Sequence, residues 1–171
     1  DEDCDGEIDE EEVCGIECSP IETSGATPIY HFEDGNGTVA IDSTANHPLT
    51  LVGNPTWGVG QCGGGLEFDG VDDAGVAANA LAGLPGNQVT MAVWMHVPTA
   101  HPWENHYPYL LTGNSGNNYR IGLSGGGTEG RVLWRLEIDG NIKSVWYAPS
   151  VFPAGEWVHL AGTYDGFVMK L

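Results

Sequence analysis

Acidic residues in the first twelve positions have the spacing of a calcium-binding loop. Asp1, Asp3 and Asp5 alternate along the chain, Gly6 follows them, and Glu12 completes the pattern D-x-D-x-D-G-x5-E. Alternating carboxylates can converge their oxygens on one hard cation, and a glycine at the sixth position lets the chain turn sharply. The spacing therefore predicts a calcium site near the amino-terminal end of the sequence.

The same pattern assigns further ligands and leaves an alternative open. Glu7 would offer its backbone carbonyl, Asp9 a direct or water-mediated oxygen, and Glu12 a bidentate carboxylate, while Ile8 supplies an apolar anchor. Pro20 disfavours an exiting helix, so a paired helix–loop–helix hand is not expected. The alternative is a disordered acidic linker whose carboxylates are only solvated.

Three of the four cysteines, Cys4, Cys14 and Cys18, lie in this same acidic segment. Their spacing lacks a CxxC pair and acidic oxygen donors dominate, so the cluster favours an oxidising compartment over a zinc site. Cys62 stands apart, and we interpret it as a buried free thiol that acts as a small hydrophobic residue. A disulfide from Cys62 to the acidic segment is the alternative, and four cysteines allow three full connectivities.

A second candidate site is the stretch 100–109, which lies between two predicted strands and contains two prolines. Aromatic rings stack on the apolar faces of sugars, while carboxylate, amide and imidazole groups bind sugar hydroxyls. The alternative is that Trp103 and Tyr109 only cap the edge of the sheet, and the spacing of its histidines fits no rigid zinc site. The predicted ligand-binding residues are His101, Trp103, Glu104, Asn105, His106, Tyr107 and Tyr109.

Several enzyme-like patterns lack the structural context that catalysis needs. The run from Glu7 to Glu12 fits E-x-D-x-x-E of glycoside hydrolases, but it lies outside any predicted strand. Glu137 and Asp139 lie on a predicted strand without the closing glutamate. The G-x-S-x-G pattern at Gly122–Gly126 leads into a strand rather than the helix that a nucleophile elbow requires. We therefore predict no catalytic residues.

Composition excludes several partners. The chain has 171 residues with five Lys and Arg against 24 Asp and Glu, a formal net charge of −19. Nucleic acid and anionic membrane surfaces need a basic footprint, which this sequence lacks, and no apolar run is long enough for membrane insertion. Residues 1–22 hold 11 of the acids and none of the bases, so the chain divides into an acidic head and a mildly acidic body.

The body is predicted to be all-β. Short runs of β-branched and aromatic residues alternate with Gly and Pro turn signals, which indicates a sandwich or barrel. In the clearest strand, 88–97, Trp94 and His96 point away from the Val and Met side. A helical turn or two is expected at most over Ala77–Leu84. The other predicted strands are 28–33, 49–52, 66–68, 119–123, 131–139, 142–147, 156–164 and 167–171.

Several blocks of the body resemble the concanavalin A-like, laminin-G-like jelly roll. The resemblance covers about residues 28–171 and implies an antiparallel jelly-roll β-sandwich, preceded by a short irregular calcium-loop-like segment. The family's closing strands do not follow, so we expect a segment of a longer protein whose sandwich is incomplete at its carboxyl-terminal end. The blocks are YHFEDG at 30–35, IDST at 41–44, GGLEFDGVDD at 64–73, VTMAVWM at 89–95 and PAGEWVHLAGTYDG at 153–166.

The acidic head has its own resemblance. Residues 3–10, DCDGEIDE, are similar to the cysteine-containing acidic metal-binding repeats of bacterial surface proteins and to thrombospondin-type calcium repeats. Such repeats usually carry a further cysteine upstream. The implied organisation is an acidic calcium-binding repeat over 1–18, a linker over 19–27 and the sandwich over 28–171.

The jelly-roll resemblance also implies a second calcium site in the body. Asp34 and Asp42 are its candidate ligands, Asn36 is a further oxygen donor, and Asp72 with Asp73 forms an acidic turn that could contribute. The alternative is that these aspartates are only turn residues. The strand histidines His31, His96 and His159 are expected to be structural.

These expectations converge on a non-catalytic, calcium-dependent binding or adhesion module. It would belong to a larger secreted or surface-attached protein, of bacterial type, and would recognise carbohydrate, with a cell-surface protein ligand as the near rival. The alternatives are an accessory domain of an extracellular glycoside hydrolase or protease, and a structural spacer. Fold alone does not decide among them.

Overall fold

The computed structural model describes residues 25, 28–78, 88–99, 109–113, 119–124, 131–147 and 153–171. The chain divides into two compact units, Asp1–Ala78 and Asn79–Leu171. All regular structure in the described ranges is β-strand. Within those ranges there is no helix with the length and apolar character needed to cross a membrane.

Two small antiparallel sheets form the regular structure of the described part of the first unit. One has the order β1-β2-β5, formed by Val39–Ala40, Leu49–Val52 and Ala74–Ala77. The other is the hairpin β3–β4, formed by Thr56–Val59 and Gly64–Glu67. Few side chains are enclosed: the buried residues among those described in this unit are Ala40, Asp42, Pro55 and Gly65.

The described part of the second unit contains seven antiparallel strands in two sheets. A four-stranded sheet has the order β10-β9-β8-β7, and a three-stranded sheet has the order β12-β11-β6. The strands are β6 Val89–His96, β7 Tyr109–Gly113, β8 Tyr119–Ser124, β9 Arg131–Ile138, β10 Asn141–Tyr147, β11 Trp157–Tyr164 and β12 Met169–Lys170.

The core of the second unit lies between its two sheets. Trp134 of β9 is fully buried, and its indole lies against Gly162 of β11, where even a Cβ atom would clash with the ring. The indole Nε1 donates a hydrogen bond to the Thr163 carbonyl oxygen at 3.2 Å. This contact joins the sheets face to face as a β-sandwich. The buried cluster is Met95, Val97, Val132, Trp134, Leu136 and Leu160.

The predicted all-β class is confirmed, and the long strands lie where alternation placed them. The predicted strand over 28–33 is wrong: Tyr30 forms only an isolated bridge with Asp42, and Phe32 has a positive φ of 59°, which interrupts an extended chain. Ala77 ends β5 instead of starting a helical turn, and residues 79–84 of that prediction lie outside the described ranges.

Candidate functional site

Three aspartates meet in the turn between β4 and β5. One carboxylate oxygen from each of Asp69, Asp72 and Asp73 lies within 4.8 Å of the others. Two short hydrogen bonds hold the turn: the Asp69 N–H donates to Asp73 Oδ2 and the Val71 N–H donates to Asp69 Oδ1, both at 2.8 Å. Gly70 provides the positive φ of 76° that the turn requires. We call these three residues the Asp69 group.

One oxygen of the Asp69 group has no hydrogen-bond partner although it is shielded from water. Asp73 Oδ1 is buried without a donor, and it lies beside Gly53, where a Cβ atom would come within 2.6 Å of it and of the Asp72 carbonyl oxygen. A buried oxygen without a partner carries its full desolvation penalty. The backbone at Gly53 therefore covers the Asp73 carboxylate without donating a hydrogen bond to its Oδ1.

The electrostatics of the first unit favour a cation at the Asp69 group. None of the five Lys and Arg residues occurs before position 120, so residues 1–78 contain no fixed positive side chain. Three carboxylates this close repel one another unless a positive charge intervenes. Carboxylate and carbonyl oxygens are the ligands that a hard divalent cation such as Ca²⁺ prefers. The Asp69 group fits a metal ion by charge and by donor type.

Asp42 is buried, and its carboxylate is already fully occupied by hydrogen bonds. Oδ1 accepts from the N–H groups of Ile29 and Thr44, both at 2.9 Å. Oδ2 accepts from the Thr44 hydroxyl at 2.6 Å and from the N–H groups of Asn46 at 3.3 Å and His47 at 3.0 Å. Burial alone would raise the pKa of Asp42, but these hydrogen bonds outweigh it and hold the pKa well below its usual range.

The Asp42 carboxylate therefore fixes the turn that precedes β2 and ties it to Ile29. The neighbouring Tyr30 hydroxyl donates to the His47 carbonyl oxygen at 2.6 Å. Burial, and then the negative charge of Asp42, raise the pKa of Tyr30 to about 12. Asp34 Oδ2 accepts a long hydrogen bond of 3.3 Å from the Ile41 N–H. Calcium ligation by Asp34 and Asp42 stays a prediction, and neither residue belongs to a group of three His, Cys, Asp or Glu side chains among the described residues.

The other predicted site residues fall outside the described ranges. This holds for the head ligands Asp1, Asp3, Asp5, Glu7, Asp9 and Glu12 and for the loop residues His101, Trp103, Glu104, Asn105, His106 and Tyr107. Tyr109 begins β7. Their roles stay predictions.

A surface of the second unit on which two pairs of rings are in contact was not predicted from the sequence. Trp94 of β6 lies 5.0 Å from His159 of β11 between ring centroids, and His96 lies 5.7 Å from Trp157, with interplanar angles of 48° and 51°. Each pair consists of directly opposed residues in the β6–β11 ladder. We call these four residues the outer face of β6–β11.

His96 and His159 lie in strands, as predicted, and their side chains are exposed on the side opposite the core. The signal was present in the sequence, because the alternation that buries Met95 must turn Trp94 and His96 outward. The strand placement of His31 is wrong, because His31 is exposed and outside any strand. A structural role for these histidines stays a prediction.

Cys62 also differs from its interpretation. It lies in the β3–β4 connection, where it is half-buried rather than buried, and its side chain is not free of partners. The expectation of a buried free thiol is therefore wrong.

The second unit is an antiparallel β-sandwich, and the turn before β5 carries three aspartates that could hold a metal ion. Residues 68–171 match a laminin G-type family model described as the concanavalin A-like lectin/glucanases superfamily. The match covers more than half of the chain, so the chain belongs to this superfamily, and the predicted resemblance is confirmed. The matched range includes the Asp69 group and the outer face of β6–β11. No curated protein and no solved structure matches the chain.

Proposed function

We propose that this chain is a non-catalytic, calcium-dependent binding module of a secreted or surface-attached protein, and that its ligand is carbohydrate. The superfamily supports a lectin-like or adhesion role as the general class. The observation that carries the calcium part is the Asp69 group, which combines three converging carboxylates with the unpartnered buried oxygen Asp73 Oδ1.

Calcium would be held by Asp69, Asp72 and Asp73 and would supply positive charge at a turn that otherwise has none. The protein's part is to present the oxygens. The Asp69–Asp73 hydrogen bond closes the turn, and Gly53 leaves room for the Asp73 carboxylate. Binding a cation here would hold β5 in place beside β2, because the group lies immediately before β5.

An oxidising compartment is part of the same proposal. The side chain of Cys62 has a partner, and we propose that this partner is another cysteine. Every other cysteine precedes residue 19, so a disulfide at Cys62 would join β3–β4 to the acidic head. Peptide mapping without reduction tests this: a cross-linked peptide that contains Cys62 supports it, and an alkylated Cys62 contradicts it.

Calorimetric titration of the chelator-treated full chain with CaCl₂ tests the calcium site. The double variant Asp72→Asn, Asp73→Asn is expected to weaken one binding event at least about tenfold, because ligand charge sets calcium affinity. The matched control is Asp139→Asn, which removes a carboxylate from an exposed turn with a φ of 51° that asparagine tolerates. A second variant, Asp3→Asn with Asp5→Asn, separates any contribution of the head. Unchanged calcium binding in the Asp72/Asp73 variant overturns the site.

A glycan array probed in calcium and in EGTA tests the ligand class. Binding in calcium that is lost in EGTA supports the whole proposal. Binding that survives EGTA contradicts calcium dependence, and an array without any signal in calcium contradicts carbohydrate recognition.

A further inference from the structure

The outer face of β6–β11 is a sheet surface on which aromatic and imidazole rings alternate in a regular pattern. Trp94 stands opposite His159, and one step of the same face along β6, His96 stands opposite Trp157. The two indoles therefore lie on a diagonal, and so do the two imidazoles. Side chains on one face of a strand repeat at about 7 Å, so the face offers two successive ring pairs along the strand direction.

These rings are accessible. Trp94 is 45% exposed, His96 and His159 are exposed, and Trp157 is half-buried. A large exposed indole on the outside of a sandwich leaves apolar surface in water that a ligand can cover. The close ring pairs, tilted by about half a right angle, limit the rotamers of all four side chains. Ligand binding would therefore cost little further side-chain conformational entropy.

The charge of this face restricts the class of ligand that it can bind. The residues that continue it along the two strands are Thr90, Ala92, Ala161 and Thr163, which pair with one another across the ladder. None of these residues carries a fixed charge, and the one charged neighbour on the adjoining strand β12 is Lys170, opposite Thr163. A single lysine in a chain with a net charge of −19 is far from the basic footprint that an anionic polymer such as nucleic acid requires. A neutral ligand with apolar faces and many hydroxyl groups matches both the indole faces and the imidazole and threonine hydrogen-bonding groups.

We propose that the outer face of β6–β11 binds a neutral carbohydrate chain, with sugar rings stacked on Trp94 and Trp157 and hydroxyl groups bound by His96 and His159. This inference rests on the proposed carbohydrate-binding function and assigns it to residues other than those of the stretch 100–109. Because two ring pairs follow one another along the strands, the face favours an oligosaccharide over a single sugar.

Affinity electrophoresis of the full chain tests the assignment. Native gels containing laminarin, mannan or galactan give the retardation of each variant, and thermal unfolding of each variant checks its fold. Trp94→Ala is expected to reduce affinity for the retarding polysaccharide at least about tenfold, the loss typical of a central aromatic contact. Trp94→Phe should keep part of it, since a smaller ring still stacks.

The matched control is Trp146→Ala. Trp146 is 49% exposed and lies on β10 in the other sheet, so the substitution removes the same side chain from a similar degree of exposure. Retardation is expected to be unchanged in this variant. His159→Gln, which keeps a hydrogen-bonding group but removes the ring contact with Trp94, should weaken binding even if Trp94→Ala folds poorly.

The outcomes separate the two proposals. Loss in Trp94→Ala and His159→Gln with retention in Trp146→Ala supports the outer face. Retention in both face variants, with loss in Trp103→Ala, overturns the outer face and leaves carbohydrate binding to the loop. Equal loss in Trp94→Ala and Trp146→Ala also overturns it. A wild-type chain that no polysaccharide retards overturns the proposed function and this inference with it.

Discussion

The two units of this chain differ in their charge and in the residues that they bury. Residues 1–78 contain 18 of the 24 acidic residues and none of the Lys and Arg, whereas residues 79–171 contain six acidic residues and all five bases. The first unit has few buried residues in its described part, and one of them is the aspartate Asp42. The second unit encloses a tryptophan between two sheets.

This difference implies different sources of stability. In the second unit, burial of apolar surface provides the main favourable term. In the described part of the first unit, that term is small, while like charges raise the energy of the compact state. Hydrogen bonds to Asp42 compensate in part, and the proposed cation at the Asp69 group would compensate further. The stability of the first unit should therefore depend on ions and pH, and the stability of the second unit on the packing of its core.

The largest effect is expected from the core of the second unit. Trp134→Ala would leave a cavity between the sheets, because the indole is fully buried against Gly162. The expected loss is about 3–5 kcal/mol in the free energy of unfolding. Urea unfolding followed by circular dichroism measures it. Trp146→Ala, which removes a half-exposed indole, should cost far less, and a similar loss in both variants would contradict a core centred on Trp134.

The direct stabilisation by calcium is expected in the first unit, which contains the Asp69 group. At a free concentration of about 100 times the dissociation constant, a ligand specific for the folded state adds about 2.7 kcal/mol. Hydrogen exchange with and without EGTA measures the effect by region: amides of β2 and β5 should gain protection in calcium, and amides of β9 and β11 should not. An equal gain in amide protection in both units would contradict the difference between them. In the Asp72→Asn, Asp73→Asn variant, calcium should no longer increase the protection of β2 and β5.

Asp42→Asn is expected to destabilise the first unit by about 2 kcal/mol, the order of a buried hydrogen bond to a charged group. The amide nitrogen that replaces one oxygen cannot accept from the surrounding donors. The control Asp34→Asn affects only one long hydrogen bond to Ile41 and should change stability little. Hydrogen exchange at β1 and β2 reports the loss, and equal effects of the two variants would argue against Asp42 as the organiser of the turn.

The same carboxylate predicts a pH dependence. Its folded-state pKa lies below the usual aspartate value, so its contribution is present above about pH 4, the unfolded-state value, and is lost as the pH falls through the lower folded-state pKa. The wild-type first unit should therefore lose protection below about pH 4. In Asp42→Asn this part of the acid dependence should disappear.

The sequence predicts the long strands of the second unit well and the short strands and turns of the first unit poorly. Alternation over eight-residue strands such as β6 and β11 is a strong signal, because one side chain in two enters the core. The strands β1 and β3 have two and four residues, too few for a period to be recognised. Asp42 was predicted as a calcium ligand, whereas its carboxylate accepts hydrogen bonds from five donors that come from residues on both sides of it in the chain. The unpartnered Asp73 oxygen depends on the approach of Gly53, which no local pattern encodes.

The smallest effect is expected at a turn in the second unit. Asp165 Oδ1 accepts hydrogen bonds from the N–H groups of Phe167 and Val168 at 2.9 and 2.7 Å, and these bonds lower the pKa of the exposed carboxyl. Asp165→Asn keeps an oxygen acceptor in the same place, so the melting temperature at neutral pH should shift less than in any variant above. Because water already solvates this carboxyl, calcium and EGTA should leave the shift unchanged. A shift as large as that of Asp42→Asn would show that charged turns stabilise both units alike, and the contrast between an ion-dependent unit and a core-dependent unit would fail.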